Sequence, residues 1–149
     1  MVKAWITRLT ALILVGLVAS CAEPPPPPPP TTVTLNVTGG ADMNGGAPAK
    51  VKVYYLNSTA KFKVSDFFAL FDNAQATLGP DLVAVDEYLL APGKVETDQK
   101  IFKVEPAAIG IVAAFKSVDQ PGWRVSKALV PNAENPIAAT LNGMTVVLP

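Results

Sequence analysis

Ala107-Ala108-Ile109-Gly110-Ile111-Val112-Ala113-Ala114-Phe115 carries no polar side chain on either of its two faces. A short, wholly apolar run of this kind is predicted to be a central strand, buried on both sides. On its C-terminal side, Trp123 to Val130 alternates, with Arg124 and Ser126 opposed to Trp123 and Val125. Further on, Ile137–Leu141 and Met144–Leu148 flank Asn142-Gly143, the dipeptide of a two-residue hairpin. On its N-terminal side, Ile101 to Val104 reads as a short strand. Leu82 to Leu90 reads as a longer one, stopped by Ala91-Pro92-Gly93. Val51, Val53 and Tyr55 alternate with Lys50, Lys52 and Tyr54, and Val33, Leu35 and Val37 alternate with threonines and Asn36. Period-two alternation at this spacing predicts about eight strands and an all-β, two-sheet β-sandwich.

One segment breaks the pattern. Phe67, Leu70, Phe71, Ala74 and Leu78 follow helical spacing. Ser65 is the expected N-cap, Asp66 suits the positive end of the dipole, and Gly79-Pro80 stops the helix. A single α-helix inserted between the second and third strands is therefore expected to pack on the sandwich. Phe67, Phe68 and Phe71 are then read as core.

Gly39 to Ala49, between the first two strands, is too long for a tight hairpin and too rich in glycine to form regular structure. Loops of this kind often carry binding. A phosphate-binding loop is excluded, because no Lys-Ser/Thr follows and no helix opens behind it. Asp42 and Asn44 are too few oxygens for a calcium site.

The composition closes off most catalytic chemistry. The chain has no histidine and one cysteine, which removes His-based acid–base catalysis, Cys–His nucleophiles and the common zinc sets. Asp81, Asp86 and Glu87 are the remaining acids of interest. Asp86 and Glu87 are adjacent, so on a strand they point to opposite faces and cannot act as a glycosidase pair. No cofactor, metal or small-molecule substrate is expected, and the chain is read as non-enzymatic. Formal charge is balanced, with 12 basic and 12 acidic residues. Lys50, Lys52, Lys61 and Lys63 read as a solvated strand face rather than a phosphate track, so nucleic acid is not an expected partner.

The N-terminus reads as an address and an anchor. Lys3 and Arg8 form a positive n-region, and Leu9 to Val18 is an apolar h-region of about ten residues. A spanning helix needs about twenty. Val18-Ala19-Ser20-Cys21 resembles a bacterial lipobox, which implies that residues 1–20 are a signal peptide and that Cys21 becomes an acylated, palmitate-bearing N-terminus. Several acyl chains on one residue meet the requirement for stable anchoring. Ala22, rather than Asp, follows the cysteine, which by resemblance to sorted lipoproteins implies the periplasmic face of the outer membrane. Removing Lys3 and Arg8 with the signal leaves 10 basic against 12 acidic residues. Pro24 to Pro30 is predicted to adopt polyproline II, a semi-rigid strut of about 22 Å that would hold the domain off the lipid. Residues 21–30 are thus the lipidated linker. Residues 31–149, about 120 in number, are the periplasmic domain, near the commonest single-domain size.

With these features in place, the chain resembles the TssJ-type (SciN/VasD) lipoproteins of the type VI secretion system. The carrying residues are Leu35-Asn36-Val37-Thr38-Gly39-Gly40, Asn44-Gly45-Gly46-Ala47-Pro48, Val51-Lys52-Val53-Tyr54-Tyr55-Leu56, Phe67-Phe68-Ala69-Leu70-Phe71, Leu78-Gly79-Pro80-Asp81-Leu82, Pro92-Gly93, the Ile109–Phe115 run and Trp123-Arg124. Lys116 stands where relatives often have Arg, and the proline run is not a family feature. The resemblance implies a transthyretin-like sandwich with an added helix. It also implies an outer-membrane lipoprotein that binds the periplasmic C-terminal region of the inner-membrane protein TssM, in a trans-envelope complex with TssL. In the family the loop between the first two strands bears on TssM binding. Here that loop contains Ala41, Asp42, Met43 and Asn44, the candidate partner-binding residues, with Met43 as an adaptable apolar anchor. An adaptor or pilotin lipoprotein of another secretion system and a small-ligand-binding sandwich are the alternatives.

Overall fold

In the computed structural model, residues 23–149 are described. The segments expected to form the signal peptide and the lipobox, with Cys21, lie outside the described residues. Pro24–Pro30 is exposed and belongs to no helix or strand. The first strand begins directly behind it.

Eight strands form two four-stranded sheets. They are β1 (Thr31–Gly39), β2 (Ala49–Leu56), β3 (Leu82–Leu90), β4 (Val95–Phe102), β5 (Ala108–Ala114), β6 (Arg124–Ala128), β7 (Glu134–Asn142) and β8 (Thr145–Val147). The first sheet has the order β4-β1-β7-β8 and the second β3-β2-β5-β6. All pairings are antiparallel except β1 with β7. Alternate residues of facing strands fill the space between the sheets: Val33, Leu35 and Val37, then Val51, Val53 and Tyr55, then Ile109, Ile111, Ile137 and Leu141. Each fully buried aliphatic side chain contributes about 1.5–3 kcal/mol.

The all-apolar run is buried almost throughout, because β5 has a layer on each side. Its second face lies under the helical insert. That insert is three short helices, α1 (Ala60–Val64), α2 (Phe67–Asp72) and α3 (Ala74–Leu78), not the single helix expected. Asn73, with φ −130° and ψ 38°, breaks the register between α2 and α3. The N-cap of α2 is Asp66, whose carboxylate accepts from the Ala69 N–H at 2.9 Å. Ser65 instead donates its hydroxyl to the Lys61 carbonyl, closing α1. Lys61 and Lys63 therefore sit on a helix, not on a strand. Gly79 ends α3 at φ 56°, as its position before Pro80 predicts. Phe62, Leu70 and Leu78 are buried, with the Phe62 ring tilted against Tyr54 at 5.6 Å. The Tyr54 hydroxyl donates to the Leu70 carbonyl at 2.8 Å. Phe67 and Phe71 stack at 5.0 Å, with the Trp123 ring edge-on to Phe67 at 5.3 Å. Phe68 departs from the expectation of core: it is 63% exposed.

β4 is longer than the Ile101–Val104 strand expected, and its pattern is inverted. Val95 and Ile101 face outward, and Asp98 and Lys100 face β3 across the seam where the sheets meet. There Lys100 Nζ lies 2.7 Å from Asp86 Oδ1, and the Tyr88 hydroxyl donates to Asp98 at 2.9 Å. Glu87 points the other way, to Lys50 (3.0 Å) and Lys52 (3.4 Å), and Lys50 above all holds its carboxyl below the usual range. Asp86 and Glu87 do diverge to opposite faces. The β7–β8 hairpin forms one residue later than expected. Asn142 pairs with Thr145, so Gly143 and Met144 make the turn, with Gly143 at φ 54°.

Candidate functional site: the β1–β2 loop

The loop between β1 and β2 is built, not slack. Gly39 N–H donates to the Lys94 carbonyl and Gly93 N–H returns a bond to the Gly39 carbonyl, both at 2.8 Å. Gly40 N–H donates to the Leu141 carbonyl at 2.8 Å, and Asn44 N–H to the Gly143 carbonyl at 2.7 Å. The β3–β4 turn and the β7–β8 hairpin thus grip the loop at its base. Met43 to Gly46 makes a tight turn, with Asn44 and Gly45 in the left-handed region.

The four candidate residues divide into two pairs. Ala41 and Asp42 are exposed. Met43 is 0% exposed and Asn44 4% exposed. The Met43 sulfur lies where a Cβ on Gly39 would stand, 2.6 Å from that position, so the glycine is what admits it. Met43 is therefore a core plug, and the expectation of a surface anchor is corrected on that point. A loop flanked by glycines looks solvated in sequence, but a buried methionine offsets the entropy of ordering it.

Asn44 sits at φ 50°, a left-handed conformation that asparagine tolerates better than most residues. Its amide donates to the Pro48 carbonyl at 2.9 Å, and its side-chain oxygen accepts from the Lys116 N–H at 2.7 Å. The side chain thus pins the descending arm of the loop to the end of β5. Gly45 and Gly46 follow at φ 63° and 81°, exposed at the tip. Lys116 Nζ lies 3.6 Å from where a Gly45 Cβ would stand. The tip therefore presents Asp42, Lys116 and bare backbone on a fixed frame. Lys116 was noted in the sequence only as a departure from relatives; its neighbourhood to Gly45 is a tertiary fact that no local pattern signals. Among the described residues no group of three or more His, Cys, Asp or Glu side chains is placed to hold a metal ion, and no helix is long and apolar enough to cross a membrane.

The fold defines a class of two-sheet β-sandwich with a helical cover and a structured loop at one end, and comparison with known proteins gives its family. The family of type VI secretion lipoproteins, which takes in VasD, EvfM and TssJ, matches residues 31–144. The chain belongs to this family. The solved structure of the type VI lipoprotein TssJ1 from Pseudomonas aeruginosa superposes with a TM-score of 0.77 at 31% identity, covering 81% of this chain and 96% of that one. Serratia marcescens Lip, a membrane-bound component of the type VI secretion system, superposes at 0.73 with 24% identity, covering 80% and 96%. A chain of a type VI membrane complex superposes at 0.69 with 25% identity, covering 79% and 97%. No curated protein matches the chain.

Proposed function

We propose that this lipoprotein is held to the periplasmic face of the outer membrane by acylated Cys21 and binds, through the β1–β2 loop, the periplasmic C-terminal region of a TssM-like inner-membrane protein. It acts by binding and positioning, with no catalytic step. The observation that carries this reading is the course of β1. The linker joins the domain at Thr31, and the loop leaves β1 at Gly39. Nine extended residues span about 30 Å, so the anchor and the loop occupy opposite ends of the sandwich. A domain tethered at one end presents the other to the periplasm, where a partner from the inner membrane is met.

Within the loop, Ala41, Asp42 and the Gly45-Gly46 tip make the contact, while Met43 and Asn44 hold their shape. A preformed loop loses little entropy on binding, which favours affinity. The test is calorimetry of the mature chain against the periplasmic region of the TssM-like protein. Asp42→Lys together with Ala41→Asp is expected to weaken binding by about thirtyfold, the effect of losing roughly 2 kcal/mol. Unchanged affinity in a variant that melts normally would move the interface to the exposed Phe68. Anchoring is tested by Cys21→Ser, which is expected to abolish palmitate incorporation, and sorting by Ala22→Asp, which is expected to retain the protein at the inner membrane.

A further inference from the structure

The end of the sandwich opposite the binding loop carries a surface that the partner reading leaves unused. Thr31 is fixed there. Its hydroxyl oxygen accepts from the Asn132 N–H at 2.8 Å, and Thr32 N–H donates to the Ala133 carbonyl. Ile101, Val104 and Val130 stand around this point at 65%, 68% and 60% exposure. Lys103 is exposed beside them. At the adjoining corner, between α1 and the β5–β6 ladder, lies a cleft of about 340 Å³. Ala107, Ala108 and Ala128 are among the residues that line it. Lys63, Lys127, Ser58, Thr59 and Ser126 also line it. Every ion pair among the described residues involves Lys50, Lys52 or Lys100. Lys63 pairs with no acid there, and Lys127 reaches the Pro149 main-chain oxygen at 3.2 Å.

We propose that this end docks on the anionic phospholipid leaflet that holds the anchor, with a headgroup phosphate in the cleft between Lys63 and Lys127. Ammonium and hydroxyl donors together suit the several acceptor oxygens of a phosphate. The exposed β-branched side chains suit the apolar boundary beneath the headgroups. Glu105 and Glu134 lie at the same end, so the attraction is local to the cleft and not a long-range field. The tether supplies the rest. Linking the domain to the leaflet through residues 21–30 makes docking an intramolecular event, so a contact weak in free solution is populated. The proline strut, expected from the sequence to hold the domain off the lipid, must then lie along the leaflet and set how far from its anchor the domain can sit.

The proposal rests on anchoring through Cys21, and its test separates the two. Mature chain is coupled through Cys21, the single cysteine, to a maleimide lipid in vesicles of phosphatidylglycerol and phosphatidylethanolamine, or of phosphatidylcholine alone. Hydrogen exchange is then followed along the chain. Exchange in residues 57–63 and 126–132 is expected to slow several-fold on the phosphatidylglycerol vesicles only, and the Lys63→Glu/Lys127→Glu variant is expected to lose that slowing. Equal exchange on both vesicles, or slowing that survives the double variant, would overturn the proposal. Slowing by soluble polyglutamate but not by vesicles would also overturn it, in favour of an acidic peptide. Acylation in the cell is read independently by palmitate labelling, so a failed anchor and a failed docking surface give different results.

Discussion

The Phe62 ring stands over Gly110 so closely that a Cβ on that glycine would lie 2.5 to 2.9 Å from three of its ring carbons. Gly110 is what lets α1 lie on the second sheet. Gly110→Ala is expected to destabilise the domain by about 1–3 kcal/mol through overpacking. Thermal denaturation of the single variant and of Gly110→Ala/Phe62→Leu checks this. The double variant should recover part of the loss, because leucine vacates the ring's far edge.

The division of labour in the β1–β2 loop predicts two separable phenotypes. Met43→Ala empties a fully buried site and is expected to cost about 2–5 kcal/mol of stability. Asn44→Ala leaves the Lys116 N–H and the Pro48 carbonyl without their partner, at about 1–3 kcal/mol. Asp42→Lys touches neither and is expected to leave melting unchanged while weakening the partner. Paired melting and calorimetry on the three variants would show the split; a large loss of stability in Asp42→Lys would refute it.

All three tyrosines report on pH. Burial, reinforced by nearby carboxylates, pushes the Tyr54, Tyr55 and Tyr88 hydroxyls well above the ordinary tyrosine value. A group whose folded pKa is raised stabilises the fold fully below its unfolded pKa, and that contribution is lost as pH rises above it. Stability is therefore expected to fall from about pH 10 upward, where the unfolded chain releases these protons first. Denaturant midpoints at pH 8, 10 and 11, followed with tyrosinate absorbance, check it. Flat midpoints across that range would contradict the burial argument.

The linker makes a fourth prediction. If Pro24–Pro30 sets the reach of the domain, a Gly/Ser segment of similar contour should partly replace it, with a lower effective concentration at the partner. Deleting the run should reduce killing of a competitor strain. Full activity after the deletion would leave the strut without that role.

Much of this fold was legible because burial and alternation agree in most strands. The β5 run, the β2 alternation and the Gly79 stop each follow from local pattern. β4 was half hidden because its apolar residues, Val95 and Ile101, face solvent. Asp98 and Lys100 face the seam instead, and only tertiary partners on β3 make that tolerable. α1 was missed because one buried residue, Phe62, between two lysines leaves no helical period to detect. At the site, glycine content pointed to the right loop and to the wrong texture. That Met43 is a plug depends on Gly39 and on the neighbouring turns, which no local window contains.

The placement of β1 also has a mechanical meaning. This strand runs from the linker at one end to the loop at the other, and it is clamped on both flanks by eight residue pairs, antiparallel to β4 and parallel to β7. Tension between a lipid anchor and a partner held at the loop would run along β1 and load those ladders in shear. The rungs would then resist together, instead of parting one after another as they do when a hairpin is peeled from its end. The strand that sets the two ends apart is thus also the one suited to carry a pull between two membranes.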